Sequence, residues 1–199
     1  DRTLLRWIAI IFLADMMDEV FAAFAGLYLH DRLGYSISAV SLLLGAMLVA
    51  SLLTLLALDR ATGRASALHL LPLMALATLA GVALLLLGGG SPMLTVAGLF
   101  LCGAGSAGWY PLAKSAAYAR FPGRTGTVRA ILGLGEPFNI LLPAVTGLIA
   151  TRFGITAAVL FLGLSGLGVL LAYPRRALAA TSADRYNGPN AVVDVAAKE

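Results

Sequence analysis

The sequence predicts an all-helical membrane protein, with six transmembrane helices arranged as two inverted three-helix repeats. Three observations carry this reading. First, 60% of the 199 residues are hydrophobic and only 12% are charged, about half the charged share of an ordinary soluble domain; mean hydropathy is +0.91. Second, the charges gather in short clusters separated by apolar runs of about twenty residues, the length that crosses a roughly 30 Å hydrocarbon core as helix. Third, the basic residues fall on alternate connections between those runs.

In chain order the spans cover residues 4–29, 37–58, 67–87, 93–113, 128–150 and 155–173. Turn signals separate them: "HDRLGYS", "DRATGRAS", "GGGSP", "RFPGRTG" and "TRFG", rich in the Gly, Pro, Ser and Asp that break helices. Residues 1–174 thus form one six-helix bundle. Residues 175–199, polar and rich in Ala, Asp and Asn, are expected to be a weakly ordered cytoplasmic tail. The chain opens on Asp1 and not on Met, as expected of a processed chain or of part of a longer one, and no signal-peptide pattern is visible.

An even number of spans puts both termini on one side. That side collects Arg2, Arg6, Arg60, Arg64, Lys114, Arg120, Arg124, Arg129, Arg175 and Arg176, whereas the other holds only Arg32 and Arg152. Cytoplasmic loops accumulate Lys and Arg, so both termini are expected in the cytoplasm. The same bias explains the net charge of +4. No run of five or more basic residues exists to make a nucleic-acid patch.

Span one holds the unusual chemistry. "FLADMMDEVF", residues 12–21, places Asp15, Asp18 and Glu19 within five residues near the middle of the span, which has no basic residue from Trp7 to Leu29. The spacing i, i+3, i+4 puts all three on one face of an α-helix. An ionised Asp at the bilayer centre costs about 2.5–3.5 kcal/mol on insertion scales, and three together repel. They are therefore expected to face protein or a watery cavity, some of them neutral or paired. Lys114 and Arg129, the inward-lying cations, both sit near span ends. Protons, a cationic substrate or a basic residue from a partner half remain as counter-charges. A carboxyl held among carboxyls away from water keeps its proton more tightly, as a proton carrier requires. The plainer alternative is that the acids only tie helices together by hydrogen bonds.

Span five adds Glu136, at roughly 10 Å depth from the helical rise, with Pro137 next to it and Asn139 one turn on. A proline frees a backbone carbonyl that polar side chains or water satisfy. Glu136 reads either as an acid satisfied at a kink or as a second proton site and partner of Lys114. Pro143 adds a second bend. In span four, Trp109 and Tyr110 precede Pro111 and Lys114. They are interface anchors or they line a solute path, and Lys114 is placed to snorkel to the headgroups.

Other features have plain readings. "GAGSAG" (103–108) matches the dinucleotide pattern G-x-G-x-x-G, but it lies inside an apolar span with no preceding strand. Its small residues, like those of "GLSGLG" (163–168), let helices approach closely. Cys102, the one cysteine, excludes an internal disulfide and a cysteine metal site and reads as a small buried hydrophobe. His30 and His69 sit near span ends with no neighbour at metal-ligand spacing and read as interfacial. No nucleophile–base pair or phosphate loop stands out, so neither enzymatic activity nor a cofactor is expected.

A faint internal repeat supports the two-unit plan. "FLADMMDEVFAAFAGLYLHDRL" from Phe12 aligns without gaps on "FLCGAGSAGWYPLAKSAAYARF" from Phe100, and "LDRATG" after span two echoes "ATRFG" after span five. Three helices is an odd number, so a second unit of the same kind enters the membrane inverted.

In the loop after span two, "LDRATGR" with Asp59, Arg60, Gly63 and Arg64 resembles the Gly-x-x-x-Asp-Arg-x-Gly-Arg signature of the major facilitator superfamily. It departs at Leu55, where that family has glycine, and by one extra residue between Arg60 and Gly63. The stretch from Tyr110 to Pro137, "YPLAKSAAYARFPGRTGTVRAILGLGEP", looks like the tenth-to-eleventh helix region of bacterial members. The resemblance covers roughly residues 1–174 and points to the carboxy-terminal six-helix half. It implies that spans one and four line a cavity, two and five flank it, and three and six face lipid. Spans three and six indeed hold almost no polar side chains beyond Ser and Thr. Asp59 would interact with the amino terminus of span three, and Arg60 and Arg64 would latch the cytoplasmic face.

The implied function is a secondary active transporter, or its carboxy-terminal half, in a bacterial plasma (inner) membrane. It would move a small organic solute by alternating access, proton-coupled, with efflux favoured by the acid cluster. Its partners would be the lipid bilayer, the solute, protons, and an N-terminal six-helix half or a second copy, with no nucleic acid. The rival expectation is a six-helix membrane subunit that transports nothing and assembles a larger complex.

Overall fold

A computed structural model of the chain describes residues 2–61, 70–119, 126, 129–130, 133 and 136–173. These residues are helical almost throughout, with no strand among them. The first helix combines α1 (Arg2–Asp15), a π-helical segment (Met16–Val20), α2 (Phe21–Leu27) and a second π-helical segment (Tyr28–Arg32). Then follow α3 (Ile37–Ala61), α4 (Leu71–Leu87), α5 (Pro92–Ser106), α6 (Trp109–Ala119), α7 (Glu136–Phe153), α8 (Ile155–Gly163) and α9 (Ser165–Ala172).

The turns follow local chemistry. Gly34, at φ +74°, ends the first helix, and the Ser36 hydroxyl accepts from Ala39 N–H at 3.3 Å to cap α3, satisfying an amide that the helix start leaves open. Gly89 and Gly90, at φ +58° and +85°, turn α4 into α5, and Pro92 opens α5, where a missing N–H costs nothing. A single residue, Gly154 at φ +89°, joins α7 to α8.

These turns sort the two ends of the bundle. The Tyr35 hydroxyl donates to Gly90 O at 3.3 Å, tying the first turn to the α4–α5 turn. The α8 helix packs on the second π-helical segment, so the Gly154 turn belongs to the same end. At the other end the Trp7 and Tyr173 rings meet edge-to-face, 6.5 Å between centroids. Arg32 and Arg152 flank the turns of the Tyr35 end, whereas Arg6 and Arg60 belong to the Trp7 end.

Among the described residues, three helical stretches are long and apolar enough to cross a membrane: Ile37–Arg60, Pro92–Tyr118 and Ile155–Ala172. Leu71–Leu87 and Ile140–Phe153 are shorter apolar helices. Every eighteen-residue window of the first helix contains Asp15, Asp18 and Glu19, which keeps it out of the apolar class despite a length of roughly 45 Å. Large apolar side chains stand on the outside throughout, including Leu42, Leu52, Leu73, Met93, Leu148 and Leu171. Water does not tolerate so continuous an apolar surface. With the three long helices, it makes this a membrane protein. Of these three long helices α3 is the least covered, only 17% buried over its apolar window against 50% for Pro92–Tyr118.

The tightest packing is α5 against α4 and α3. A Cβ at Gly81 would stand 2.6 Å from Gly98 O, and one at Gly98 would stand 2.8 Å from Gly81 O. Gly103 lies against the Met47 backbone and Gly105 against Thr78 and Met74. The small residues of "GAGSAG" therefore do bring helices together. So do those of the second glycine run, where Gly163 meets Val82, Gly166 meets Leu79 and Ala75, and Gly168 meets Leu13. Cys102 is buried, its Sγ 3.9 Å from Thr78 O. Ser51 Oγ reaches both Met47 O in its own helix and Gly103 O across the interface, at 3.1 and 3.0 Å.

A carboxylate cluster on a jointed helix

The first helix carries its acids on a π-helical turn. Phe21 N–H donates to Met16 O, a five-residue step that inserts one extra residue into the turn, and such bulges recur at functional positions. The three acids stay near one another, Asp18 within electrostatic reach of both Asp15 and Glu19. Asp15 is half-buried, while Asp18 and Glu19 are exposed on the outer side of the bundle. Met16, Met17 and Val20 from the same turn point inward. The turn packs against α7 and α8. Among the described residues, no cation lies within ion-pair distance of Asp18 or Glu19.

The outer face of this helix is chemically mixed. Ala9, Phe12 and Asp15 lead to Asp18 and Glu19, then to Ala22, Ala23 and Gly26. Gly26 lets the first helix settle on Val40 and Leu44 of α3. Charged groups at mid-helix with small neighbours face protein or water and not acyl chains.

Lys114 has a different environment from the acids. Its Nζ donates to the Tyr110 hydroxyl at 2.9 Å, one helical turn away, and stands 4.7 Å from the centre of that ring. Both residues are half-buried. Trp109 is fully buried with no partner for its Nε1, so it belongs to the interior and not to a headgroup belt. The stretch Pro92–Tyr118 runs on as one helix through Ala107–Gly108, lacking there only the bond that Pro111, without an N–H, cannot return to Ala107 O.

The other expected positions fall as follows. Glu136 and Asn139 lie in the first turns of α7, with their side chains outside the described residues, and Pro143 is inside that helix. Asp59 and Arg60 belong to the last turn of α3 and not to the start of the next helix. Arg60 there donates to Leu56 O at 3.4 Å. Gly63, Arg64 and His69 lie outside the described residues. His30 Nδ1 is 2.9 Å from Tyr35 O, at an exposed helix end.

Sequence reasoning missed Ser106 and Ser165, buried hydroxyls without a partner. Pro111 was the available signal for the first, and the Gly-Leu-Ser-Gly run for the second. Comparison with family profiles, with characterised proteins and with solved structures gave no match.

Proposed function

We propose that this chain is one wall of a proton-coupled secondary transporter of the major facilitator type. Under this reading it is a carboxy-terminal six-helix half, with both ends cytoplasmic in a bacterial inner membrane. Alternating access would move a small organic solute past Asp15, Asp18 and Glu19, in the direction of efflux. The observation that supports this most is the placement of Asp18 and Glu19. They lie mid-helix, outside the bundle's own core, with no described cation to neutralise them. A wall of a hydrated site has this arrangement. Two further features fit. Arg2, Arg6, Arg60 and Lys114 lie towards the Trp7 end against Arg32 and Arg152 at the Tyr35 end, the asymmetry that cytoplasmic sorting produces. In the gapless repeat alignment, the π-helical residues 16–20 fall opposite 104–108, which contain the Ala107–Gly108 step between α5 and α6.

The outward placement of the acids also favours a second reading, a non-transporting subunit whose carboxylates pair permanently with a basic partner. Asp18→Asn and Glu19→Gln separate the two. In sealed vesicles, the transporter loses pH-driven solute flux while the protein stays monodisperse in detergent. If the isosteres instead release a partner and leave flux untouched, the transport reading fails.

A further inference from the structure

We propose that Tyr110, Lys114, Tyr118 and Arg129 form a binding site for the headgroup phosphate of an anionic phospholipid at the Trp7 end of the bundle. Tyr110, Lys114 and Tyr118 are spaced one turn apart and form a ladder on one face of α6. All three are half-buried. Lys114 comes about 22 residues after Pro92, roughly 33 Å along the helix. That sets it at the far boundary of a hydrocarbon core about 30 Å thick, where the phosphates of a lipid leaflet begin.

The ammonium does not stretch out to water as a lysine at a span end is free to do. It folds back towards Tyr110, one turn deeper. There it donates to the hydroxyl at 2.9 Å and stands 4.7 Å from the ring centre. A neutral phenol leaves the charge uncompensated. Among the described residues, no carboxylate is within electrostatic reach of Lys114; Tyr118 and the exposed Arg129, a second cation, are. Two cations held together at the membrane boundary call for an anion. The donors for one are in place. Lys114 gives one of its N–H groups to Tyr110 and keeps the others, the Tyr110 hydroxyl still has its own proton to give, and Arg129 adds a fork of N–H groups. A phosphate, charged and rich in acceptor oxygens, matches that set.

The same side of the helix continues into an apolar hollow. Val96 lies about five turns from Lys114 and Phe100 about four, so both share its side, with the small Ala104 and Pro111 between. Pro92, Met93, Val96, Ala97, Phe100 and Leu101 line the hollow, about 560 Å³ and without a polar side chain. Its near lip, Phe100 and Leu101, is about ten residues from Tyr110, roughly 15 Å. That is half the hydrocarbon thickness, the reach of one leaflet's acyl chains. A phosphate carrying acyl chains therefore uses the whole of this face, whereas a free phosphate uses one end.

The inference needs a membrane and not transport. Native mass spectrometry of the full chain, delipidated in neutral detergent, tests it with dioleoyl phosphatidylglycerol, dioleoyl phosphatidylcholine and inorganic phosphate as probes. Phosphatidylglycerol is expected to bind more tightly than phosphatidylcholine and to withstand millimolar inorganic phosphate. Lys114→Gln and Arg129→Gln each weaken it about five-fold, and Tyr110→Phe weakens it less. Arg60→Gln, which removes an exposed cation at the same end, leaves it unchanged. Equal weakening by Arg60→Gln overturns the inference, because a diffuse basic field then suffices. Equal binding of the two lipids overturns it too, as does displacement of phosphatidylglycerol by inorganic phosphate, the mark of a site for a soluble anion. Tyr110→Phe deletes one oxygen and no charge, so it decides the matter if Lys114→Gln fails to fold: unchanged affinity overturns the site. No solute or gradient enters these measurements, so their failure leaves the flux test of Asp18 standing, and the reverse.

Discussion

The α3–α4–α5 block and the first helix solve the membrane problem in opposite ways. The block is built on glycine contacts so close that backbone meets backbone, Gly81 on Gly98 and Gly103 on Met47. Ser51 and Thr78 are answered by carbonyls one turn back, with Ser106 at the end of α5 the exception. The first helix has two π-helical turns, four carboxyl groups (Asp15, Asp18, Glu19 and Asp31) and a mixed outer face. Packing in lipid gains little from the hydrophobic effect and depends on close van der Waals approach. A helix rich in acids cannot be held that way. Its polar groups need neighbours or water, which leaves room for movement and chemistry. Regular packing and polar irregularity are therefore segregated in this bundle, and the segregation is itself evidence of which part has work beyond holding the fold.

The comparison breaks most severely at the glycines. Replacing both Gly81 and Gly105 with leucine forces side chains into backbone, at about 1–3 kcal/mol or more per site, and folded yield in mild detergent is expected to collapse. The same pair of substitutions at Ala22 and Ala23, on the acidic helix, is expected to leave yield nearly intact.

Asp18→Asn sharpens the contrast from the other side. Removing a charge from mid-helix recovers part of an insertion cost of about 2.5–3.5 kcal/mol. Resistance to denaturant in nanodiscs should therefore rise or hold while proton-driven flux is lost. A fall in stability would place Asp18 among the structural ties.

Smaller effects are expected at the bundle ends and at single buried hydroxyls. Tyr35→Phe removes the hydroxyl bond to Gly90 and should cost about 0.5–1.5 kcal/mol, visible as faster amide exchange in residues 88–91. Ser165→Ala deletes a buried hydroxyl that has no partner. It is expected to be neutral or slightly stabilising in thermal unfolding, unlike Thr78→Ala, which removes a satisfied one.

Much of the helical plan was legible because hydrocarbon thickness constrains sequence strongly. The α3 helix begins at Ile37 and α8 at Ile155, where polar turns give way to apolar runs. "GAGSAG" was readable as helix contact because only small residues fit such approaches. The π-helical turns were not readable, since a one-residue insertion changes hydrogen-bond register without changing composition. The spacing of Asp15, Asp18 and Glu19 did show that they would stand close together. Trp109 suggested an interface because aromatics gather there, yet it lies in the interior. Asp59 and Arg60, read as loop, lie in helix because α3 continues as far as Ala61.

The one-residue connection at Gly154 has a consequence for how the chain is made. With Gly154 alone between Phe153 and Ile155, the two helices are expected to enter lipid together as one hairpin, with Arg152 near its head. The backbone at Gly154, φ +89° and ψ 160°, is open only to glycine. A bulkier residue there is strained, and it is expected to lower the yield of inserted protein.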